Sequence, residues 1–544
     1  MNTRQLQTDK NQKLYHALLG ILLVCALAMM MLLSYWACKY SYYGAVDGRT
    51  RGVLVGDKTW AHIAVFLAAS LCTMGIDKVL MKKDKSQQEK ICLCTLIVTS
   101  VIAFILGVFY VCKNPYYPVG DQINTTAFAA YCRDGNFSML SIGGYVGMYQ
   151  QQKGLAILYE ILFTLFGDFN YRPAKILHVV WWILTILAGY GVLKLNTDRP
   201  VFRMLYCVMM LGCFPLLFYL PYIYGDVLSI SFGIILFYGV AAYEHSGQKR
   251  YIALASFAAG LAVLARKNTW IVLVAVAVYV LLVSLRKKKV RYLMAGTAIL
   301  LTAALSVKAV DVIYEVRSGY PSGVGVPSIL WVAMGLQETE GRAGVYNRYQ
   351  QATFTDYDCQ QELAAQQGKE YIRERLEEFS QDPGMAFDFF KNKLEGQWIE
   401  PMYAALESTE SFEEGAELSP VLESLYYGEL GRTIWKLTNY YQSILYLAGL
   451  MALVMLGILW WKKKEVPISL WLPWIAVFGG FLFSILWEAK SRYVFPYCVF
   501  MILYAPEGLY QTGLLLCKLP KLRKFKKSGH TQDKGEEASL RETA

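Results

Sequence analysis

Long apolar runs recur along most of this 544-residue chain, and a run of about 20 residues is enough for a helix to cross the hydrocarbon core of a bilayer. Hydrophobic residues make up 55% of the sequence and charged residues 17%, against about 25% charged in an ordinary soluble domain. The sequence therefore predicts an all-α polytopic membrane protein with about twelve transmembrane helices. The candidate spans are 14–36, 59–81, 91–112, 174–194, 201–220, 227–243, 251–265, 269–285, 290–310, 438–460, 468–487 and 491–511.

The positive charge of the chain lies mainly in the connections between these runs. The formal net charge is +11, and clusters such as Lys82-Lys83, Arg286–Lys289 and Lys462–Lys464 separate successive spans. Because Lys and Arg accumulate in the cytoplasmic loops of membrane proteins, the charge indicates a lipid bilayer and not nucleic acid as the partner. The same rule predicts a multi-pass protein with its N-terminus and C-terminus in the cytoplasm.

One apolar segment, 154–166, fits either a thirteenth span or a juxtamembrane helix on the outer surface. It has only about 13 residues, which is short for a crossing, and Glu160 lies in its middle. A crossing here would move every later basic cluster to the outer side, against the usual bias. We therefore predict a surface helix.

The spans and the polar stretches between them divide the chain into five parts. We expect an extra transmembrane pair at 1–90, a transmembrane module at 91–310 with its first outer loop at 113–173, a small and mainly helical extracytoplasmic insertion at 311–437, C-terminal helices at 438–517 and a basic cytoplasmic tail at 518–544.

The predicted orientation places most ionisable residues that interrupt apolar runs on the outer side. Charges at the membrane are costly and often mark function, although each residue also has a simpler interpretation. Asp121 fits the N-cap of a following helix, and Arg266-Lys267 fits an ordinary loop. If those two cations are functional, an anionic ligand, Asp226 or Glu488 is expected to compensate them.

Two further groups on this side have the chemistry of a phosphate site. Lys153 lies where the 154–166 helix begins, after Tyr145, Tyr149 and Gln151, and a helix N-terminus favours anions; the alternative is a membrane anchor. The second group is the turn 488–493. An arginine fork matches phosphate oxygens and a lysine supplies a point charge, whereas a salt bridge within the turn is the alternative. The turn contains Glu488, Lys490, Arg492 and Tyr493.

Taken together, residues 91–511 resemble the polyprenyl-phosphate-dependent integral membrane glycosyltransferases of the GT-C superfamily, in the branch of protein O-mannosyltransferases and aminoarabinose transferases. The resemblance depends on the order of its motifs along the chain. They are Asp121 in the first outer loop, Tyr149–Gly154 with Phe166-Gly167, Trp331–Gly335 with Gly344–Asn347, and Glu488, Arg492, Tyr493 and Pro496. Many relatives carry paired acids where this chain has Asp121-Gln122. This chain also has two extra spans before the one that corresponds to the usual first span of those relatives.

The resemblance implies a GT-C-like bundle in a bacterial inner membrane and inverting transfer of a sugar from a polyprenyl-phosphate donor to an extracytoplasmic acceptor, which is a cell-envelope glycan, a lipid or a protein. It implies that Asp121 is the general base. Lys153, Arg266, Lys267 and Arg492 bind the donor phosphate, with Tyr145, Tyr149, Gln151, Asp226, Glu488, Lys490 and Tyr493 in binding or supporting roles. No metal ligand is assigned, and a divalent metal stays open.

Two other functions compete with this interpretation. A lipid-linked glycan flippase or transporter is expected to place ionisable groups near the middle of the bilayer, whereas here they collect at one side. A polymerase or ligase of lipid-linked glycans shares the donor chemistry, so the sequence does not separate it from a transferase.

Overall fold

The chain folds as a bundle of helices in a computed structural model that describes residues 3–44, 52–323, 325–464 and 466–518. The predicted tail beyond Lys518 lies outside these residues. Within the described parts, nine helices are long and apolar enough to cross a membrane, which confirms the all-α membrane class. Their bounds are Asn11–Lys39, Thr59–Leu80, Lys85–Lys113, Arg172–Asn196, Asp226–Ser246, Lys267–Lys287, Val290–Ser318, Glu429–Trp461 and Ile468–Leu486.

Three other predicted spans are shorter or interrupted. The segment 201–220 forms two helices, Pro200–Leu211 and Phe214–Phe218, and Pro215 at the start of the second has no backbone N–H to continue the first. The segment 251–265 forms the 17-residue helix Lys249–Ala265. The segment 491–511 is divided into Ser491–Met501 and a second helix over 505–518 by a turn. The count of twelve spans stays a prediction.

The predicted first outer loop, 113–173, folds into short helices beside the bundle. Helices Asp121–Arg133, Tyr145–Met148 and Lys153–Phe166 lie between two long ones. Lys153–Phe166 has 14 residues, a length of about 21 Å, which is shorter than the hydrocarbon core. A Cβ on Gly154 would lie 2.5 Å from the Leu264 carbonyl oxygen, so only glycine allows this helix to pack so closely against Lys249–Ala265.

The predicted insertion is mainly helical, and the long helices on either side extend into it. Val290–Ser318 continues past residue 311, and Glu429–Trp461 begins before residue 438. The aromatic helix Pro383–Trp398 buries Phe389 and Trp398. It packs against helices Leu472–Leu486 and Ser491–Met501. Between the long helices lie Ile329–Gly335, Tyr349–Asp356, Gln361–Gln381, Pro383–Trp398, Ala405–Ser408 and Pro420–Tyr427.

Strands are few in the described residues and form two small hairpins. Tyr40–Tyr43 pairs with Val53–Gly56, and Glu338–Thr339 pairs with Arg342–Ala343, both antiparallel. The first hairpin joins the two N-terminal helices, and the Tyr42 N–H donates to the Ile399 carbonyl. The N-terminal pair is therefore attached to the insertion.

The bundle has two ends of different character. The Asp121 face is the end that carries the turns 114–120, 222–226, 266–268 and 487–490. The opposite face carries the basic connections, where Glu244 pairs with Lys287 at 2.8 Å. The central helix is Asp226–Ser246, which is buried over 89% of its apolar window and joins the two faces.

Candidate active site

Asp121 is an exposed carboxylate at the first position of the helix Asp121–Arg133. Gly120 precedes it with a φ of 59°, a left-handed conformation that glycine adopts at low cost. The side chain of Asp121 does not cap the helix. Its Oδ1 accepts a hydrogen bond of 2.9 Å from the Tyr145 hydroxyl. Asp121 therefore presents an oriented carboxylate to solvent, and the alternative interpretation as an N-cap is wrong.

Tyr145 is a stable donor in this pair. Burial of its ring, followed by the negative charge of Asp121, raises the pKa of Tyr145 well above its usual range. The phenol therefore stays protonated at neutral pH and keeps donating to the carboxylate.

Gln122, next to Asp121, points the other way and is buried. Its side-chain oxygen accepts from the Tyr116 hydroxyl at 2.5 Å and from the Ile223 backbone N–H at 3.0 Å. The amide thus joins the start of the Asp121 helix to the 222–226 turn. Gln122 has a structural role here, and only Asp121 of the adjacent pair is accessible.

Asp226 lies beside Arg266 and Arg492, the two arginines predicted to bind the donor phosphate. It is 2% exposed and forms an ion pair with Arg266, while the Nε of Arg492 lies 3.8 Å from the same carboxylate oxygen. Both guanidinium groups also lie over the rings of Tyr224 and Tyr493, at 5.3 to 5.8 Å. Two cations thus share one carboxylate, and Asp226 partly compensates Arg266 as expected.

Lys267 differs from the arginines beside it. Its ammonium group donates to the Ser328 hydroxyl at 3.3 Å, and its side chain is exposed. It has no ion pair with any residue in the parts of the chain that the structure describes. Arg266 and Arg492 share the single carboxylate of Asp226. The three cations Arg266, Lys267 and Arg492 therefore carry more positive charge than Asp226 compensates.

The turn 488–490 contains the salt bridge considered from the sequence. Glu488 is 3% exposed and pairs with Lys490 at 3.0 Å, and Lys490 lies over the Tyr346 ring at 5.2 Å. The Tyr493 hydroxyl also donates to Glu488, at 3.4 Å. The turn is stabilised internally, which leaves Arg492 directed toward Asp226.

Two adjoining cavities open among these groups. The first, the base cavity, has a volume of about 100 Å³ and is lined by Asp121, Arg266, Lys267 and Arg492 together with Tyr224 and Tyr493. The second, the lateral cavity, has a volume of about 310 Å³. Gln151, Lys267 and Ser328 line both, so the cavities meet at Lys267.

Lys153 lines the lateral cavity and has partners that the sequence did not indicate. Its side chain is buried and pairs with Asp311 at 2.5 Å, and it donates to the Ser322 hydroxyl at 2.8 Å. The remaining wall is mixed in polarity. Its apolar part includes Val263, Leu264, Val307, Val310 and Trp270, and its polar part includes Gln150, Gln151 and Gln361. Lys153 is thus separated from the arginines and already holds a carboxylate.

An aromatic row connects the base cavity to the insertion. Tyr145 and Tyr149 lie 5.1 Å apart, Tyr149 and Trp331 lie 6.2 Å apart, and Trp331 stacks on Trp487 at 5.9 Å with ring planes 4° apart. Trp331 and Trp487 also line the base cavity. No role was predicted for Trp487, although its position directly before Glu488 was a signal for one.

The arrangement combines an exposed carboxylate, Asp121, with a pocket lined by three cations. Among the described residues, no group of three or more His, Cys, Asp or Glu side chains has a geometry that holds a metal ion. No family model matches the chain, and neither a curated protein nor a solved structure matches it.

Proposed function

We propose that the protein transfers a sugar from a polyprenyl-phosphate carrier to an acceptor hydroxyl on the extracytoplasmic side of a bacterial inner membrane. The observation that carries the proposal is one cavity lined by an exposed carboxylate, Asp121, and by the cations Arg266, Lys267 and Arg492. Such a displacement needs a base for the acceptor and positive charge for the leaving phosphate. A GT-C-like bundle of about twelve spans belongs to the same proposal.

The reaction is a single displacement at the anomeric carbon. Asp121 accepts the proton of the acceptor hydroxyl while the acceptor oxygen forms a bond to the anomeric carbon. The bond between that carbon and the phosphate oxygen breaks, and the electron pair leaves with the polyprenyl phosphate. Attack opposite to the leaving group inverts the configuration.

The cations act on the leaving group. Two arginines share Asp226, and Lys267 has no carboxylate partner among the described residues, so positive charge is left for the phosphate. Positive groups fixed before the reaction stabilise charge that develops in the transition state. The phosphate is already a good leaving group, so no general acid is needed.

The lateral cavity supports a lipid-linked donor. It meets the base cavity at Lys267, and its wall includes apolar residues of two helices, Lys249–Ala265 and Val290–Ser318. A phosphate near Lys267 would place the first isoprene units against this wall. The pairing of Lys153 with Asp311 gives Lys153 a smaller share of the phosphate than Lys267.

The test is a transfer assay with the full-length protein in liposomes. A panel of polyprenyl-phosphate sugars is added with a cell-envelope extract, and free polyprenyl phosphate and glycosylated products are followed by mass spectrometry. We expect one donor to be consumed with formation of an inverted glycosidic bond. Movement of an intact donor across the bilayer with no bond cleaved would instead support a flippase, and chain elongation of a lipid-linked glycan would support a polymerase or ligase.

A further inference from the structure

Two stacked tryptophans, Trp331 and Trp487, form part of the wall of the base cavity. Their ring centroids lie 5.9 Å apart, and the ring planes are 4° from parallel. Parallel rings at that centroid distance form an offset stack, so each ring leaves part of its face uncovered by the other. Both side chains are half-buried. The cavity therefore has an aromatic surface that neither Asp121 nor the cations explain.

A buried lysine holds the supports of the two tryptophans together. One tryptophan belongs to the helix Ile329–Gly335, and the other directly follows the helix Leu472–Leu486. The ammonium group of Lys393, which is buried, donates to the Gly335 carbonyl at 2.5 Å and to the Ile485 carbonyl at 2.8 Å. Lysine suits this position because the last carbonyls of a helix carry negative partial charge. The ends of both helices are thus joined by one cation.

The same two segments also contact each other directly. A Cβ on Gly335 would lie 2.3 Å from the Leu486 carbonyl oxygen, so only glycine allows this approach. The Ala489 N–H donates to the Gly344 carbonyl at 2.7 Å, which adds a second link. These contacts fix the stacked pair at the edge of the cavity before any ligand binds.

Two neutral amides line the same cavity. Gln151 and Asn268 belong to its wall, and neither side chain forms a hydrogen bond with another residue in the ranges that the structure describes. A primary amide both donates and accepts hydrogen bonds, as a sugar hydroxyl does. The wall therefore combines an aromatic surface with groups suited to hydroxyls.

A pyranose ring has two kinds of surface that match this wall. Its axial C–H groups form an apolar face that packs on an aromatic ring, and its hydroxyl groups lie around the edge. We propose that Trp331 and Trp487 bind a pyranose ring of the acceptor, so that the acceptor is a saccharide. The inference rests on the proposed function, which supplies the role of an acceptor.

The position of the tryptophans assigns them to the acceptor and not to the donor. Lys267 lines both cavities, whereas Trp331 and Trp487 line only the base cavity. A donor whose lipid lies in the lateral cavity and whose phosphate contacts Lys267 leaves the aromatic surface to the second substrate. Asp121 lines the base cavity as well, so a hydroxyl of the bound ring lies in the cavity that contains the base.

The test measures saccharide binding by the full-length protein without donor, by saturation-transfer difference NMR. A zwitterionic detergent is used, because maltoside or glucoside headgroups would compete. The probes are the methyl glycosides of glucose, galactose, mannose and N-acetylglucosamine, with the acyclic polyol sorbitol as the ligand control. We expect at least one glycoside to bind, with the strongest saturation at its axial C–H protons.

Variants of the tryptophans test the surface itself. We expect Trp487→Ala to bind that glycoside about tenfold more weakly, and Trp487→Phe, which keeps an aromatic ring, to retain part of the affinity. Trp60→Ala is the matched control, since Trp60 is exposed and lies outside the cavity; its affinity should equal that of the wild type.

Several results would contradict the proposal. Binding of no glycoside above sorbitol, or equal affinity in Trp487→Ala and Trp60→Ala, would remove the tryptophans from saccharide binding. If Trp487→Ala is unstable, uniform saturation of all ring protons by the wild-type protein would still exclude stacking. Displacement of the glycoside by a polyprenyl phosphonate sugar, but not by polyprenyl phosphate, would assign the surface to the sugar of the donor.

The transfer assay separates a failure of this inference from a failure of the proposed function. Sugar transfer by a protein that binds no saccharide at the tryptophans would reject the saccharide acceptor and leave the transfer in place. Saccharide binding that depends on Trp487, without transfer from any donor, would keep the pyranose site and reject its role in sugar transfer.

Discussion

The side-chain oxygen of Gln122 accepts the backbone N–H of Ile223 at 3.0 Å, which joins the start of the Asp121 helix to the turn that carries Asp226. The contact is buried and joins two residues that are 101 positions apart in the sequence. Asp121 and the arginine pair of the candidate active site are therefore positioned by one buried polar side chain.

Gln122→Leu should lower the stability of the protein. It leaves the Ile223 N–H and the Tyr116 hydroxyl without their acceptor, and an unpaired buried polar group costs about 1–3 kcal/mol. Thermal unfolding in detergent should show a lower midpoint for this variant. The matched control is Gln151→Leu at an exposed position; an equal midpoint in both variants would mean that the Gln122 contact is unimportant.

Tyr145→Phe should slow transfer and leave donor binding unchanged. The substitution removes the hydroxyl that orients Asp121, and a hydrogen bond to a charged group contributes about 1.5–3 kcal/mol, which corresponds to roughly a tenfold to hundredfold lower kcat. Steady-state kinetics with the identified donor would measure kcat and KM separately. Tyr149→Phe is the control, since Tyr149 lies beside Tyr145 without bonding to Asp121. A change in KM alone would contradict the positioning role.

Lys267→Gln should weaken donor binding. Lys267 is the cation at which the two cavities meet, and loss of a charge-assisted contact of about 1.5–3 kcal/mol would raise the donor Kd by at least roughly tenfold. Binding of a non-hydrolysable polyprenyl phosphonate sugar measures this Kd. Lys369→Gln, at an exposed position on the helix Gln361–Gln381, is the control, and equal binding by both variants would remove Lys267 from the phosphate site.

Glu400 should make the stability depend on pH. Its carboxyl group is fully buried, and burial, followed by the charge of Glu407, raises the pKa of Glu400 to about 8 from 4.5. The folded protein thus holds this proton more tightly than the unfolded chain does, so the contribution to stability is complete below pH 4.5 and is lost as the pH rises through about 8.

The measurement is the unfolding midpoint across that pH range for the wild type and Glu400→Gln. The variant should lose part of the decline, whereas Glu417→Gln at an exposed position should follow the wild type. Parallel profiles for all three proteins would contradict the assignment to Glu400.

The sequence predicted the helical membrane class because apolar runs report directly on the bilayer. It was less informative on where helices break. The interruption at 212–213 depends on Pro215 and on local packing. Hydropathy averages over such details, so 201–220 appeared as one continuous span.

The sequence also identified the charged turns but only some of their partners. Asp226 was expected near Arg266 because both interrupt apolar runs at one side. Asp311 as the partner of Lys153 was not predicted, since Asp311 lies within the long helix Val290–Ser318 and no local pattern in the sequence indicates which residue it contacts. The burial of Gln122 depends on a contact with Ile223, which no local pattern in the sequence indicates.

The central claim is that Asp121 is the base of a sugar transfer, and the most direct test separates binding from turnover in Asp121→Asn. The amide is similar in size and still accepts from Tyr145, but it accepts no proton from an acceptor. We predict that the variant binds the polyprenyl-phosphate donor with the wild-type Kd and transfers sugar about 10²–10⁴-fold more slowly. Transfer at the wild-type rate by a correctly folded Asp121→Asn protein would contradict the account.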